Sequence, residues 1–438
     1  MKKTLALLLA LVMVFALAAC SNDSGDANTT PSDDTVTTTP DETTPDTTEP
    51  DTNEEEPVEL TGEPIKIGHI ADLTGVEAMT GEQAVQGLDF AVKLIEANGG
   101  IAGRPIEIIV GDAQSNAATA ADVARKLVEN DGVVAILGPT QVGHKGTVAE
   151  YVQEAGIPAI YYNGTPAYML ANNDWVIGAG GATPQMPTAM ADYVYNELGF
   201  RKVHVLSMDN TGYKSYLTPF MENFTAMGGE VLSEQWAPIP CNDWALYLSG
   251  LSDADAIISW ASGSDAISLW QAWYDLGISD KMPIIGVMHG GFTDYFIGNA
   301  LTNANPGAAE AFEGTYAPIL YTYSNDTPEN NAFVEAWTEE FGSVPGGTNM
   351  PGATYQALLL LKTAIESIDG NTEPEALRDA LLSVEVTGPE GHLYFEEGSH
   401  LATKDVHIVQ VVKLDDGSYN YEIVKTYNDV PPSGLTVG

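Results

Sequence analysis

Basic residues are scarce in this chain. Its 438 residues carry 17 Lys and Arg against 61 Asp and Glu, a net charge of −44. A surface of that sign repels phosphate backbones and anionic headgroups, so nucleic acid and anionic membrane surfaces are excluded as electrostatic partners. Cysteine is nearly absent: only Cys20 and Cys241 occur. If Cys20 is taken up by lipid, as argued below, no intrachain disulfide and no cysteine-based metal site can form. Cys241 lies in the acidic turn Pro238-Ile239-Pro240-Cys241-Asn242-Asp243 and reads as a structural residue, because nearby carboxylates disfavour a thiolate. The seven histidines do not cluster at ligand spacing. His400 and His407 fall on opposite faces of a β region, so no metal is expected. Catalytic signatures are missing too: there is no G-x-x-x-x-G-K-[ST], no H-E-x-x-H and no G-x-S-x-G. Gly178-Ala179-Gly180-Gly181 is glycine-rich but opens no helix after a strand, and reads as a hinge rather than a dinucleotide loop. Catalytic residues and cofactors are therefore expected to be none.

What is present begins with an export signal. Lys2 and Lys3 precede the apolar run Leu5 to Ala16, too short for a comfortable transmembrane span. Residues 1–19 thus read as a signal peptide. Leu17-Ala18-Ala19-Cys20 resembles the bacterial lipobox, which implies cleavage before Cys20 and lipidation of its thiol. Residues 20–63 are low-complexity Thr, Pro, Asp and Glu, with 14 acidic residues and no basic one. Such a segment cannot bury enough apolar area to offset its ordering entropy, so it reads as an extended, disordered tether. No later apolar run is long enough to cross a bilayer.

From Ile65 onward the pattern is rhythmic. Strand Ile65 to Ile70 is followed by a helix, with Thr80-Gly81-Glu82-Gln83 matching a capping box. Strand Ile106 to Val110, helix Ala117 to Asn130, strand Val133 to Leu137, helix His144 to Glu154 and strand Pro158 to Tyr161 come next. Strands alternating with helices of this length imply βαβ units and a parallel sheet, with right-handed crossovers placing the strand ends at one edge. After the Gly/Pro-rich stretch 175–187 the rhythm restarts with helix Thr188 to Leu198 and strand Val203 to Met208. It continues with helix Tyr213 to Met227, a short strand Glu230 to Leu232, strand Ala256 to Trp260, helix Ser264 to Leu276 and strand Pro283 to Val287. Helices Pro328 to Phe341, Thr354 to Ile368 and Pro374 to Leu382 then precede a β-like end. The fold class is α/β, as two Rossmann-like lobes.

Ligands of open α/β sheets sit at the carboxyl ends of strands. In the first lobe that places Met79, Thr80, Thr140, Gln141, Val142, Tyr161, Tyr162, Asn163 and Thr165 at the mouth. In the second it places Asp209-Asn210-Thr211, Trp260, Ser262, Met288 and His289 there. Aromatic walls with a few convergent polar groups suit a small molecule. Successive strand side chains alternate faces, so Tyr161 and Tyr162 point opposite ways. Trp260 ends an apolar strand and suits either core or pocket wall.

These features resemble one family. Ile65-Lys66-Ile67-Gly68 with Leu73-Thr74-Gly75, Ala97-Asn98-Gly99-Gly100-Ile101-Ala102-Gly103-Arg104-Pro105, the spacing from Gly138 to Ile157-Pro158, and Thr387-Gly388-Pro389-Glu390-Gly391 with Phe395 occur in the family's order. They resemble the Leu/Ile/Val-type solute-binding proteins of ABC transporters, the type I periplasmic-binding-protein fold. The resemblance implies two lobes joined by three hinge crossovers: residues 64–183 with 316–390, and 184–315 with 391–430. It implies a monomeric, lipid-anchored extracytoplasmic receptor, at the cell surface or in the periplasm, that passes a small solute to an ABC permease. Carried over by position, the serine that amino-acid binders use for the carboxylate is Val142, the threonine is kept as Thr165, and a loop tyrosine is Thr211. The acid that takes the ammonium falls at Met288 or His289. An ammonium buried without its carboxylate is costly, so the ligand expected is amino-acid-like or, in preference to an ordinary branched-chain amino acid, an aromatic or apolar carboxylate or an amide. A sensory receptor of the same fold and an enzyme on this scaffold are the alternatives. The first is disfavoured because no signalling domain or spanning helix is fused to the body, the second because no nucleophile–base pair or cofactor loop occurs.

Overall fold

The computed structural model describes residues 59–436 except 76, 171, 262, 287–300, 346–348 and 416. The signal sequence, Cys20 and most of the tether therefore lie outside the described residues, as do Ser262, Met288 and His289. The first sheet takes β1 (Ile65–Ala71), β2 (Ile106–Asp112), β3 (Ala135–Leu137), β4 (Ala159–Ile160) and β5 (Val176–Ile177) in the order β2-β1-β3-β4-β5. Every neighbouring pair in it is parallel. Helices α1 (Ala78–Ala97), α2 (Ala117–Lys126) and α3 (Lys145–Ala155) are its crossovers. The alternation of β1 splits its side chains between two cores. Ile65 and Ile67 pack with Leu88 and Ile95, while Ile70 packs with Ala120, Val148 and Tyr161 on the other face.

The second lobe repeats the plan. Helices α4 (Gln185–Asp192), α5 (Thr211–Ala226), α6 (Ala245–Leu248) and α7 (Gly263–Asp275) flank β6 (Lys202–Met208), β7 (Glu230–Ala237), β8 (Ala256–Ser259) and β9 (Ile284–Gly286). Their parallel order is β7-β6-β8-β9. After the short helices α8 (Thr302–Ala304) and α9 (Pro306–Glu310), β10 (Tyr316–Ile319) leads to α10 (Pro328–Phe341), α11 (Met350–Ser367) and α12 (Pro374–Leu381). An antiparallel sheet closes the chain: β11 (Val386–Gly388), β12 (Gly391–Phe395), β13 (Ala402–Lys413) and β14 (Tyr419–Val430), with β10 on the far edge of β13. Among the described residues no helix is long and apolar enough to cross a membrane.

Several local readings shift. The capping box at Thr80 does not form, because α1 starts earlier, after Glu77, which makes no side-chain cap. Thr80 Oγ1 instead donates to the Glu77 carboxylate at 3.4 Å. Helix α4 begins at Gln185 rather than Thr188, and β7 runs to Ala237 rather than stopping at Leu232. The lobe boundaries also move, because the antiparallel sheet serves both lobes. Leu393 and Ala402 lie in the core of the first lobe, packed with α11, whereas Ala317, Ile319, Val406 and Ile408 lie in cores of the second. The last crossing thus falls between Ala402 and Val406 rather than at 390, and the middle one after Leu320 rather than at 315. Cys241 is buried, its N–H donates to Asp265 Oδ1 at 2.8 Å, and burial pushes its thiol pKa up, as befits a structural residue.

The three crossings meet closely. Gly178 and Leu401 form a parallel bridge, and a Cβ on Gly181 would lie 3.5 Å from Leu320 Cδ1. Gln185 ties the first and the last to the end of β14: its Oε1 accepts from Ala182 N at 2.6 Å and its Nε2 donates to Ala402 O at 3.0 Å and Val430 O at 2.6 Å. Nearby, the fully buried Lys404 ammonium is paired with the buried Glu390 carboxylate, whose pKa burial pushes up.

That pair gives a test. Removing one partner of a buried ion pair strands the other charge, so Lys404→Met is expected to cost about 3–5 kcal/mol in urea unfolding. Adding Glu390→Gln to the same chain should recover most of the loss; a double variant no more stable than Lys404→Met alone would contradict the pairing argument.

Candidate functional site

The mouth of the first lobe is built on the loops leaving β3 and β4. Gly138 turns the first loop with φ +91°, and a Cβ there would stand 2.6 Å from Ile70 O, so only glycine fits. Beyond it, Thr140 is buried, and its Oγ1 lies 3.0 Å from Tyr162 Oη. Tyr162 Oη in turn lies 3.0 Å from His69 Nε2. Burial pushes the His69 pKa down to about 4 and the Tyr162 phenol up, so this chain of three side chains is neutral at pH about 7. Asn163 Nδ2 donates to Thr140 O, which fastens the second loop to the first. Thr165 is buried, its Oγ1 donates to Asn163 O at 3.2 Å, and its N–H donates to Gly181 O at 2.9 Å.

Behind these loops lies a second polar layer. Lys145, the first residue of α3, is fully buried. Its Nζ donates to the carbonyls of Asn163 and Gly164 at 2.6 and 3.0 Å. Burial holds its ammonium well below the usual lysine range. Tyr161 Oη donates to Lys145 O at 2.9 Å. The buried Asp72 carboxylate accepts from Ser115 N at 2.8 Å and lies 3.4 Å from His144 Nδ1, with its pKa raised by burial. Gln141 bonds the Glu77 carboxyl, whose pKa burial also raises, and this draws the start of α1 to the same corner.

The wall from the second lobe is aromatic. Asn210 caps α5 by accepting from Tyr213 N at 2.9 Å. That sets Tyr213 and Tyr216 on one face of the helix. Both rings meet Trp260 edge-on, with centroids 4.5 and 4.6 Å away. Trp260 is half-buried at the end of β8, and its Nε1 has no hydrogen-bond partner among the described residues. The lobes touch here: a Cβ on Gly164 would stand 2.4 Å from Tyr216 Oη.

Of the residues expected at the mouth, Thr140, Gln141, Val142, Tyr162, Asn163 and Thr165 gather at one corner, with Thr80 and the exposed Met79 at its rim. Tyr161 is not among them. It is packed beneath the sheet with Val148 and Val152, as its position on the opposite face from Tyr162 requires. Thr211 opens α5 and is exposed. Trp260 stands at the end of β8 with Tyr213 and Tyr216 packed against it, two aromatics that sequence reading did not single out. Their signal was present: two aromatics one turn apart opening a helix that follows a strand end. Lys145 was missed as well. Among the described residues no group of three or more His, Cys, Asp or Glu is placed to hold a metal ion.

Residues 64–418 match the family model described as periplasmic binding protein. A curated relative, Leu/Ile/Val-binding protein homolog 6 of Brucella melitensis biotype 1, is 23% identical over 378 residues, covering 85% of this chain and 93% of its own. The structure of an ABC transporter substrate-binding protein from Sphaerobacter thermophilus is similar with a TM-score of 0.75 at 28% identity, over 84% of this chain and 99% of its own. A solute-binding protein of an ABC transporter from Rhodopseudomonas palustris HaA2, in complex with p-hydroxybenzoic acid, is similar with a TM-score of 0.75 at 23% identity, over 85% of this chain and 99% of its own.

The buried His69 makes the mouth acid-sensitive. Its pKa of about 4 in the fold lies below the ordinary 6.5, so the unfolded chain binds the proton first. Its contribution is complete above pH about 6.5 and falls as the pH drops towards about 4, a loss of up to about 3 kcal/mol. Urea unfolding at pH about 7 and about 4.5 should show this loss diminished in His69→Gln relative to wild type. An unchanged pH dependence in the variant would contradict it.

Proposed function

The chain belongs to the periplasmic binding protein family, and from that premise we propose that it is a lipid-anchored receptor that encloses a small organic solute between its lobes and delivers it to an ABC importer. It is a solute-binding protein rather than an enzyme. The observation that carries the choice of solute is the pairing of two walls. Trp260, with Tyr213 and Tyr216 packed edge-on against it, supplies an aromatic wall on one side, and Thr140, Asn163 and Thr165 supply short neutral polar groups on the other. Val142 stands where amino-acid binders of this family carry serine, which weakens the case for an α-amino acid. An aromatic or apolar carboxylate, or an amide, matches aromatic walls with few polar contacts. The likeness to a fold that holds p-hydroxybenzoic acid supports this reading, while the curated relatives' names favour branched-chain amino acids.

Anchoring rests on the sequence ending in Cys20 and on the acidic segment after it, which would hold the body away from the bilayer. The body acts as a monomer that closes by hinge motion about the three crossings.

Titration calorimetry with 4-hydroxybenzoate, benzoate and leucine decides the solute. The aromatic acids are expected to bind at micromolar Kd or better and Trp260→Ala to weaken them by about tenfold or more, the scale of a lost aromatic contact. Tight leucine binding with none of the aromatic acids would overturn the solute assignment. Detergent phase partitioning tests the anchor: wild type should enter the detergent phase and Cys20→Ala should not.

A further inference from the structure

Lys145 is the one cation of α3, and nothing in the hinge or the aromatic wall requires it. It is wholly buried, yet among the described residues no carboxylate lies within ion-pair distance of its Nζ. Its surroundings are the Tyr161 ring, centred 5.0 Å away, and two carbonyls, those of Asn163 and Gly164. On the adjoining elements, His144 and Asp72 are engaged with each other, Nδ1 to Oδ1 at 3.4 Å. An ammonium buried without a counter-charge is costly, which is why burial lowers the Lys145 pKa; a carboxylate arriving beside it favours the charged form again.

The direction of the two peptides says where that charge would sit. In a trans peptide the C=O and N–H point opposite ways. With the Asn163 and Gly164 carbonyls both turned to Lys145, the N–H groups of Gly164 and Thr165 face away from it. The Thr165 N–H is already used by Gly181 O at 2.9 Å. The Gly164 N–H has no acceptor among the described residues, and Gly164 is the residue against which Tyr216 Oη of the other lobe packs. The free donor therefore belongs to the part of the loop that meets the opposite lobe.

We propose that Lys145 is a specificity-determining positioning residue: it fixes the Asn163–Gly164 peptide with its N–H toward the cleft and supplies the positive charge for a ligand carboxylate received there. This rests on the reading of the cleft as the solute site and deepens it, since it selects the anionic over the neutral solute. A cation one peptide behind a donor strengthens that donor for anions without touching the ligand. The role differs from a purely structural clamp, which would hold the loop equally for acid and amide.

The test uses the full-length protein and matched ligand pairs, 4-hydroxybenzoate with 4-hydroxybenzamide and leucine with leucinamide, by titration calorimetry on wild type, Lys145→Gln and Lys145→Arg. Thermal melting checks that each variant is folded. Lys145→Gln, which keeps a donor and removes the charge, is expected to weaken the acid by about tenfold or more beyond whatever it costs the amide, and Lys145→Arg to retain most of the acid preference. An acid-to-amide ratio unchanged in folded Lys145→Gln, or equal losses for both ligands, overturns the proposal. Native mass spectrometry of freshly purified wild type and Lys145→Gln covers solutes outside the panel. An anionic molecule carried by wild type and lost from the variant supports the proposal. One kept by both, or no anion bound by wild type in either experiment, overturns it. Binding of neutral solutes alone would leave the receptor function standing while removing the role of Lys145.

Discussion

A single carboxamide sets how the lobes are joined. Gln185 bonds Ala182 in the first crossing, Ala402 in the last and Val430 at the end of β14, from a position with no solvent contact. A buried backbone group left without a partner costs about 1–3 kcal/mol, so these bonds favour the joined arrangement. The crossing also reaches the mouth directly. Thr165 bridges Ala182 and bonds Gly181, and a Cβ on Gly180 would stand 2.2 Å from Asn163 N. The pocket loop of the first lobe therefore rests on the hinge. A rotation of one lobe against the other is felt by the same peptides that face the solute.

The mouth is neutral on its surface and ionisable behind it. His69, Tyr162 and Thr140 form a chain of uncharged side chains, held so by burial. One layer deeper lie Lys145 and the Asp72–His144 pair. A net charge of −44 makes this body a poor electrostatic attractor for organic anions at long range. Charge selection in such a protein has to act at contact distance, where a desolvated cation outweighs a screened acidic surface.

Much of the architecture was legible in the residues, because helix and strand periods are local. The alternation through β1 to β9 gave two parallel sheets, and the opposed faces of Tyr161 and Tyr162 followed from the two-residue repeat. The strand-end rule brought Thr140, Asn163 and Thr165 together. Local rules failed where tertiary contacts overrode them. The capping box at Thr80 lost to an earlier helix start, and the 390 boundary lost to an antiparallel sheet that packs on both lobes.

The sequence by itself determined the α/β class, the two-lobed plan, the acidic surface and which loops form the mouth. Each of these follows from composition or from spacings within one element. Only the tertiary structure decided that Tyr216 faces Gly164, that Tyr213 and Tyr216 wall Trp260, and that Lys145 lies sealed behind Asn163 without an acid. Those juxtapositions join residues from different elements, and two of them residues far apart in the chain. They depend on how two sheets pack and cross, and no periodicity along the chain encodes a distance across a cleft.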